Sequence, residues 1–402
     1  VGIIINSTYN KFRLFTFTYW AFMLSASGMY SMYLVDLGLP KGNISIAVSI
    51  FTISTLFGQN FIGYLADRYK CTRKILLISI FIGVMAMAAM SLTSQVWLIY
   101  CLIFVWGFCL YGTIPMSEAW YIHYLKEMGR ENEFGRIRGL GSTGYALSGV
   151  LLGLLLQKLG WSVYIFYILS SASILFLSIF LIKYRESFIL PEPADSLDNA
   201  EKISFRKAIS QLAGIKPLRS MIVVLFLYYF VVKGIYSYLG ILLSDKGGGP
   251  LSLGTAYFFD AMPEVVTFFL AARILTRFKS ESMIFASFII QIIRLSLILV
   301  FNSQLAIILL GMLSGFAYGL QASAYKTYIY NMAPEKYKIS CLSISESIIS
   351  FSGVVCAPVF GFVIMKFGTY SSIVMGLLIN ITAALFIGWK IIKGIKSGEK
   401  SL

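Results

Sequence analysis

The run Ile75-Leu76-Leu77-Ile78-Ser79-Ile80-Phe81-Ile82-Gly83-Val84-Met85-Ala86-Met87-Ala88-Ala89-Met90-Ser91-Leu92-Thr93 decides the fold class. It carries no charge over a length that lets a single helix cross a hydrocarbon core of about 30 Å. Arg68, Lys70, Arg73 and Lys74 stand just before it. Moving outward in both directions, similar apolar segments recur near residues 13–35, 43–66, 95–121, 137–157, 161–182, 220–243, 252–275, 282–301, 303–327, 340–364 and 369–390. With 75–93 they make twelve spans of an all-α integral membrane protein. The first run is read as a true span, because no small-residue cleavage site of a secretory leader follows it.

Composition agrees. Of 402 residues, 58% are apolar and 13% charged, against about 25% charged in soluble proteins. The net charge of +15 does not point to nucleic acid, because the basic residues sit in short loops and form no continuous stripe. They act instead as a topology signal. With the N-terminus placed inside, 27 of the 33 Lys and Arg fall in the inside segments. Only Lys41, Lys158, Lys246 and Lys366 fall outside, and Lys233 and Arg294 lie within spans. This bias places both termini in the cytoplasm.

The longest polar stretch, 183–219, separates the sixth and seventh spans. It divides the chain into an N-terminal six-helix bundle (1–182), a cytoplasmic linker (183–219) and a C-terminal bundle with a cytoplasmic tail (220–402). Within the linker, 203–212 reads as a short amphipathic surface helix. The two halves echo each other faintly: Gly63-Tyr64-Leu65-Ala66-Asp67-Arg68 follows span two, and Ala272-Arg273-Ile274-Leu275-Thr276-Arg277 follows span eight.

Several chemistries find no support. Cys101, Cys109, Cys341 and Cys356 lie in apolar runs and Cys71 in a basic loop, so no disulfide framework is implied. His123 is the sole histidine, and no metal site or cofactor is expected. There is no phosphate-binding loop and no Ser-His-Asp set, so neither ATP-driven pumping nor an enzyme is indicated.

Gly63-Tyr64-Leu65-Ala66-Asp67-Arg68-Tyr69, followed by Arg73-Lys74, resembles the loop signature of the major facilitator superfamily, although the later glycine of that signature is missing. Gly63 would permit close helix approach, and Asp67 would take hydrogen bonds from a neighbouring helix end. With Arg68 they would latch the state closed to the inside. A narrower resemblance rests on Pro115-Met116-Ser117-Glu118-Ala119-Trp120, Glu133-Phe134-Gly135-Arg136-Ile137-Arg138, Gly141-Ser142-Thr143-Gly144-Tyr145-Ala146-Leu147 and Met262-Pro263-Glu264. These are similar to lactose permease and its oligosaccharide/proton symporter relatives. The resemblance implies that Glu118 and Arg138 bind sugar hydroxyls and that Tyr145 stacks on the sugar ring. It implies that Glu264 serves both substrate and proton, and that Arg294 matches an arginine of span nine. It also implies a bacterial cytoplasmic membrane location. The histidine and glutamate of the permease's tenth span are absent from Leu313-Ser314-Gly315-Phe316-Ala317-Tyr318. The permease's acid on span seven and lysine on span eleven appear exchanged, as Lys233 and Glu346.

Physics selects many of the same residues. A charge in the bilayer core is costly and normally faces a cavity with a partner. Asp260 and Glu264 are four apart on one helical face, which suits a proton carrier if Arg294 approaches and leaves Glu264; a static buried pair is the alternative. Lys233 and Glu346 are expected to form a cross-helix ion pair, structural or coupling. Arg136 and Arg138 point to nearly opposite faces, so only Arg138 is expected in the cavity. Glu118 is either a site residue or a solvated helix-end charge. Tyr30, Tyr33, Tyr236, Tyr238, Tyr318 and Tyr325 either line the cavity or pack.

The resulting expectation is a monomeric secondary transporter that imports a small polar solute, a sugar or glycoside, with a proton. A drug/proton antiporter of the same fold is the runner-up, weakened because Gly149-Val150-Leu151-Leu152-Gly153 lacks the proline of the antiporter motif. Nucleoside or organic-anion symport also fits, with Arg138, Lys233 and Arg294 as anion partners. A receptor or channel-like scaffold has no supporting domain or repeat.

Overall fold

The computed structural model describes residues 2–69, 71–130, 133–184, 214–334 and 338–397, with the side chains of 2–7, 67, 216, 268, 269, 271–273, 275, 276, 338–340, 343 and 392–397 left aside. The amphipathic segment 203–212 and most of the 183–219 linker therefore lie outside the described residues.

Helices follow the apolar runs. They are α1 (Gly2–Ser27, continued as Tyr30–Asp36), α2 (Lys41–Tyr69), α3 (Thr72–Met90) and α4 (Val96–Trp106, Thr113–Glu127). Next come α5 (Phe134–Leu159), α6 (Tyr164–Leu181), α7 (Lys216–Ser237, continued as Leu239–Ser244), α8 (Pro250–Arg277) and α9 (Ser280–Phe301). α10 is Gln304–Leu309 continued as Gly311–Met332. The long stretch Lys338–Ser397 breaks at Gly368, which has φ of +84°, giving α11 (338–367) and α12 (369–397). Among the described residues nine helical stretches are long and apolar enough to cross a membrane, and one of them, Ile344–Ile391, runs through that break. The arrangement is consistent with twelve crossings in two six-helix bundles, and the described residues contain no strand. A lipid-exposed backbone must satisfy its own hydrogen bonds, and helices do so.

Several helices are broken, and the breaks are used. α1 interrupts at Gly28–Met29, and the Gly28 carbonyl accepts a 2.8 Å hydrogen bond from Tyr257 of α8. α4 passes through a π turn, Gly107–Tyr111, a distortion frequent at functional sites. It turns the Tyr111 hydroxyl to within 2.6 Å of Ser27 of α1. α7 breaks at Tyr238, whose hydroxyl donates to the Ala357 carbonyl of α11 at 2.7 Å.

The two halves meet mainly through α5 against α8 and α2 against α11. Glycines make these crossings close: a Cβ on Gly254 would strike the Gly149 backbone, one on Gly153 the Pro250 backbone, and one on Gly361 Ser45. These contacts lie toward the end of the bundle opposite the basic loops. There Lys41 pairs with Asp245 at 2.9 Å, and Thr369 donates to the same carboxylate at 3.0 Å. At the basic end, no described atom lies within 4 Å of a Cβ on Gly63 or Gly135. Gly63 is expected to permit a close helix approach; in this conformation no described atom lies within 4 Å of the position its Cβ would take. Arg68 turns back on its own helix and donates to the Tyr64 hydroxyl at 2.7 Å. The Asp67 side chain lies outside the described residues.

Candidate substrate site

α5 is built to bring an arginine between two other helices. On one face Gly141 and Gly144 leave room for Trp20 and the Phe17 backbone of α1, and on another Gly149 and Gly153 admit α8. Arg138 stands one turn before Gly141. Its guanidinium lies 4.4 Å from the ring of Trp20, a cation–π contact that strengthens when water is excluded. Its Nε is 3.3 Å from Glu118 of α4 and its Nη2 4.0 Å from Glu264 of α8. It also donates to Ser142 at 3.2 Å. One cation of the first half therefore holds a carboxylate of each half. The Glu118 side chain is 30% exposed and that of Glu264 15%, so both keep an edge open to a ligand. Arg136, two residues away, is 68% exposed and pairs with Glu133 at 3.1 Å.

Aromatic rings line the same region. The Tyr145 and Tyr236 hydroxyls are 2.6 Å apart across the two halves. Tyr257 closes the group, with ring centroids 5.8 Å from Tyr145 and 5.2 Å from Tyr236, and Tyr145 meets Trp20 edge-on at 6.4 Å. Trp20 and Tyr257 were not singled out from the sequence. Tyr257 was findable, because it precedes Asp260 and Glu264 by three and seven residues and shares their face. Trp20 gave no signal beyond lying opposite the Gly141–Gly144 pair.

Beyond Tyr236 a small pocket is lined by Asp260, Arg294, Ser314 and Tyr236, among others. Pro263 lies inside α8 between the two acids; lacking an N–H, it removes one helical hydrogen bond there.

Two expectations change, the Lys233–Glu346 pair and the place of Tyr30. Arg294 faces Asp260 in this pocket, and the Glu264 carboxylate has Arg138 as its cation. In this conformation Arg294 stands apart from Glu264, since the two acids sit a turn apart and each meets a different arginine. Lys233 does not pair with Glu346. Its ammonium donates to the Ile349 carbonyl at 2.7 Å, in space that Gly353 leaves open. Glu346 pairs with Lys326 at 3.1 Å and accepts from Tyr325 at 2.6 Å. Tyr30 packs within the first half, 5.1 Å from Phe51 and 5.2 Å from Trp106 between ring centroids, and Tyr33 packs likewise on Trp161 and Tyr164.

A two-bundle helical membrane fold with a charged, aromatic-lined site between its halves defines a secondary transporter. The profile of the MFS_1 like family matches residues 9–372, and the chain belongs to that family. It is a multi-pass membrane transporter of the major facilitator superfamily, not an enzyme. It is 22% identical to a maltose permease of Geobacillus stearothermophilus over 80% of this chain and 78% of that protein. It is likewise 22% identical to the uncharacterized transporter YwbF of Bacillus subtilis (strain 168), over 80% of this chain and 77% of that one. The crystal structure of the nucleoside transporter NupG superposes with a TM-score of 0.78 at 13% identity, covering 94% of this chain and 98% of that one. The POT family transporter PepTSo superposes with a TM-score of 0.71 at 13% identity, covering 94% and 97%. These two likenesses carry the fold alone.

Proposed function

We propose that this transporter imports a small polar solute, a sugar or glycoside, by proton symport with alternating access. The observation that carries the reading is Arg138, bridging Glu118 and Glu264 over the face of Trp20. Paired carboxylates and a planar guanidinium offer acceptors and donors to adjacent hydroxyls, and the indole, Tyr145 and Tyr236 offer rings to the apolar face of a pyranose. The likeness to a protein named maltose permease supports the same class.

In this reading Glu264 and Asp260 share the coupling proton. A neutral Glu264 releases Arg138 to the solute; an ionised one reclaims it. Residues 1–182 and 220–402 move as the two halves, joined by 183–219, with the termini and basic loops in the cytoplasm of a bacterial cell and the protein acting as a monomer. On that topology the packed end faces outside.

The deciding variant is Glu264→Gln in proteoliposomes loaded to give an inward proton gradient. Uphill sugar accumulation should vanish while downhill exchange persists; accumulation equal to wild type would sink the coupling role. A ligand-stabilisation screen with sugars, glycosides, nucleosides and lipophilic cations tests the substrate class. Stabilisation by sugars alone supports it, nucleosides alone move the reading to nucleoside symport, and lipophilic cations alone move it to drug antiport.

A further inference from the structure

The interior of the second half holds polar groups that the substrate site does not use. Besides the amide of Asn380, two donors there have no hydrogen-bond partner among the described residues, Arg294 Nε and Gln321 Nε2, and the Tyr228 hydroxyl and Gln291 Nε2 meet only each other. None of these residues is more than 6% exposed. Tyr228, Gln291, Arg294 and Gln321 are also neighbours. Arg294 donates to Gln291 Oε1 at 3.3 Å, Tyr228 stands beside Gln291, and Ser287 donates to Gln321 Oε1 at 2.7 Å.

The placement is linear. On α9, Ser287, Gln291 and Arg294 are spaced by four and three residues and form one stripe. On α10, Ser314, Gln321 and Tyr328 follow at two-turn intervals along the facing side. The two helices run antiparallel, so the stripes lie side by side. At one end, Arg294 and Ser314 open on Asp260 in the pocket. At the other, Tyr328 lies near Glu281 in the first turn of α9, at the basic end. Glu264 lies one turn from Asp260. Glu346, held by Tyr325 and Lys326, flanks the path.

All four of these groups along α7, α9 and α10 are donors. In a lipid-embedded interior such groups need an acceptor from inside the protein. Water fits, because a buried water takes two to four polar partners and both accepts and donates. A single anion does not fit a row of donors spread over several helical turns with Asp260 at its head.

We propose that a file of ordered water runs between α9 and α10 from Asp260 to Glu281, and that it carries the coupling proton to the basic end without crossing the substrate cavity. Each oxygen accepts one proton and passes another to the next, so nothing is consumed, and the two carboxylates take up and release the proton at the ends. The route lets the proton leave while a solute occupies the site beneath Trp20. It rests on the proton-symport reading, but the water itself does not.

Two measurements on the full-length protein in nanodiscs and proteoliposomes test it. Radiolytic hydroxyl-radical footprinting labels side chains beside bound water. Tyr228 should be modified at least fivefold faster than the equally buried Tyr19, whose hydroxyl is taken by Thr113, and Gln291→Leu should remove the difference. Equal rates in the wild type overturn the proposal whatever ion is coupled. In transport, Gln291→Leu and Gln321→Leu should each lower proton-driven accumulation about tenfold and leave counterflow unchanged. If the wild type accumulates and both variants match it, the route falls and symport stands. If the wild type shows no proton-driven accumulation, the symport reading falls, and the proton route with it.

Discussion

Arg138 gathers more of the site than any other side chain. It meets a carboxylate on each of two helices, a serine and the face of an indole. Removing one member of a buried ion set leaves a charge uncompensated, at a cost of about 3–5 kcal/mol. Arg138→Ala is therefore expected to damage folding as well as binding and is a poor probe. Arg138→Lys keeps the charge and loses the planar fork and the stacking on Trp20. It should fold, and it should weaken sugar binding about tenfold, roughly 1.4 kcal/mol, as read by ligand-induced stabilisation. Affinity equal to wild type would mean that only the charge of Arg138 matters.

At the scale of elements, much was legible and the reasons are specific. Apolar runs cannot be anything but spans in a chain with so few charges, and the basic loops marked their ends. Glu118, Arg138 and Glu264 stood out because a charge within a span needs a reason. What sequence spacing does not carry is the rotation of one helix about its neighbour. Lys233 and Glu346 were matched by helix number and sign, yet the lysine reaches the Ile349 carbonyl and the glutamate turns to Lys326. The breaks in α1, α4 and α7 were also invisible, since Tyr257, Ser27 and Ala357, which satisfy them, come from distant chain. The glycine crossing of α5 and α8 makes an element-scale prediction. Gly254→Val drives a branched side chain into the Gly149 backbone, and overpacking of this kind costs about 1–3 kcal/mol. Melting temperature and transport should both fall, whereas Gly249→Ala, whose Cβ meets nothing within 4 Å, should change neither.

At the scale of the whole molecule, the end away from the basic loops is packed shut between the two halves. Nothing in a hydropathy pattern distinguishes the two ends, because the same spans serve both closures. The closed end is joined by backbone-to-backbone glycine contacts, which salt does not touch, and by one ion pair that it does. Lys41 and Asp245 are 52% and 27% exposed, and charges in water are screened over about 8 Å at physiological ionic strength. The balance between the two orientations is thus coupled to the electrolyte outside the protein. Raising salt should shift population away from the present conformation, by at most about fivefold for an exposed pair. Spin labels at Lys158→Cys and Phe367→Cys in a cysteine-free background would report it as a longer distance across that end, and Asp245→Asn should erase the dependence. A transporter so built carries an ionic readout in the balance of its conformations, independent of the solute it moves.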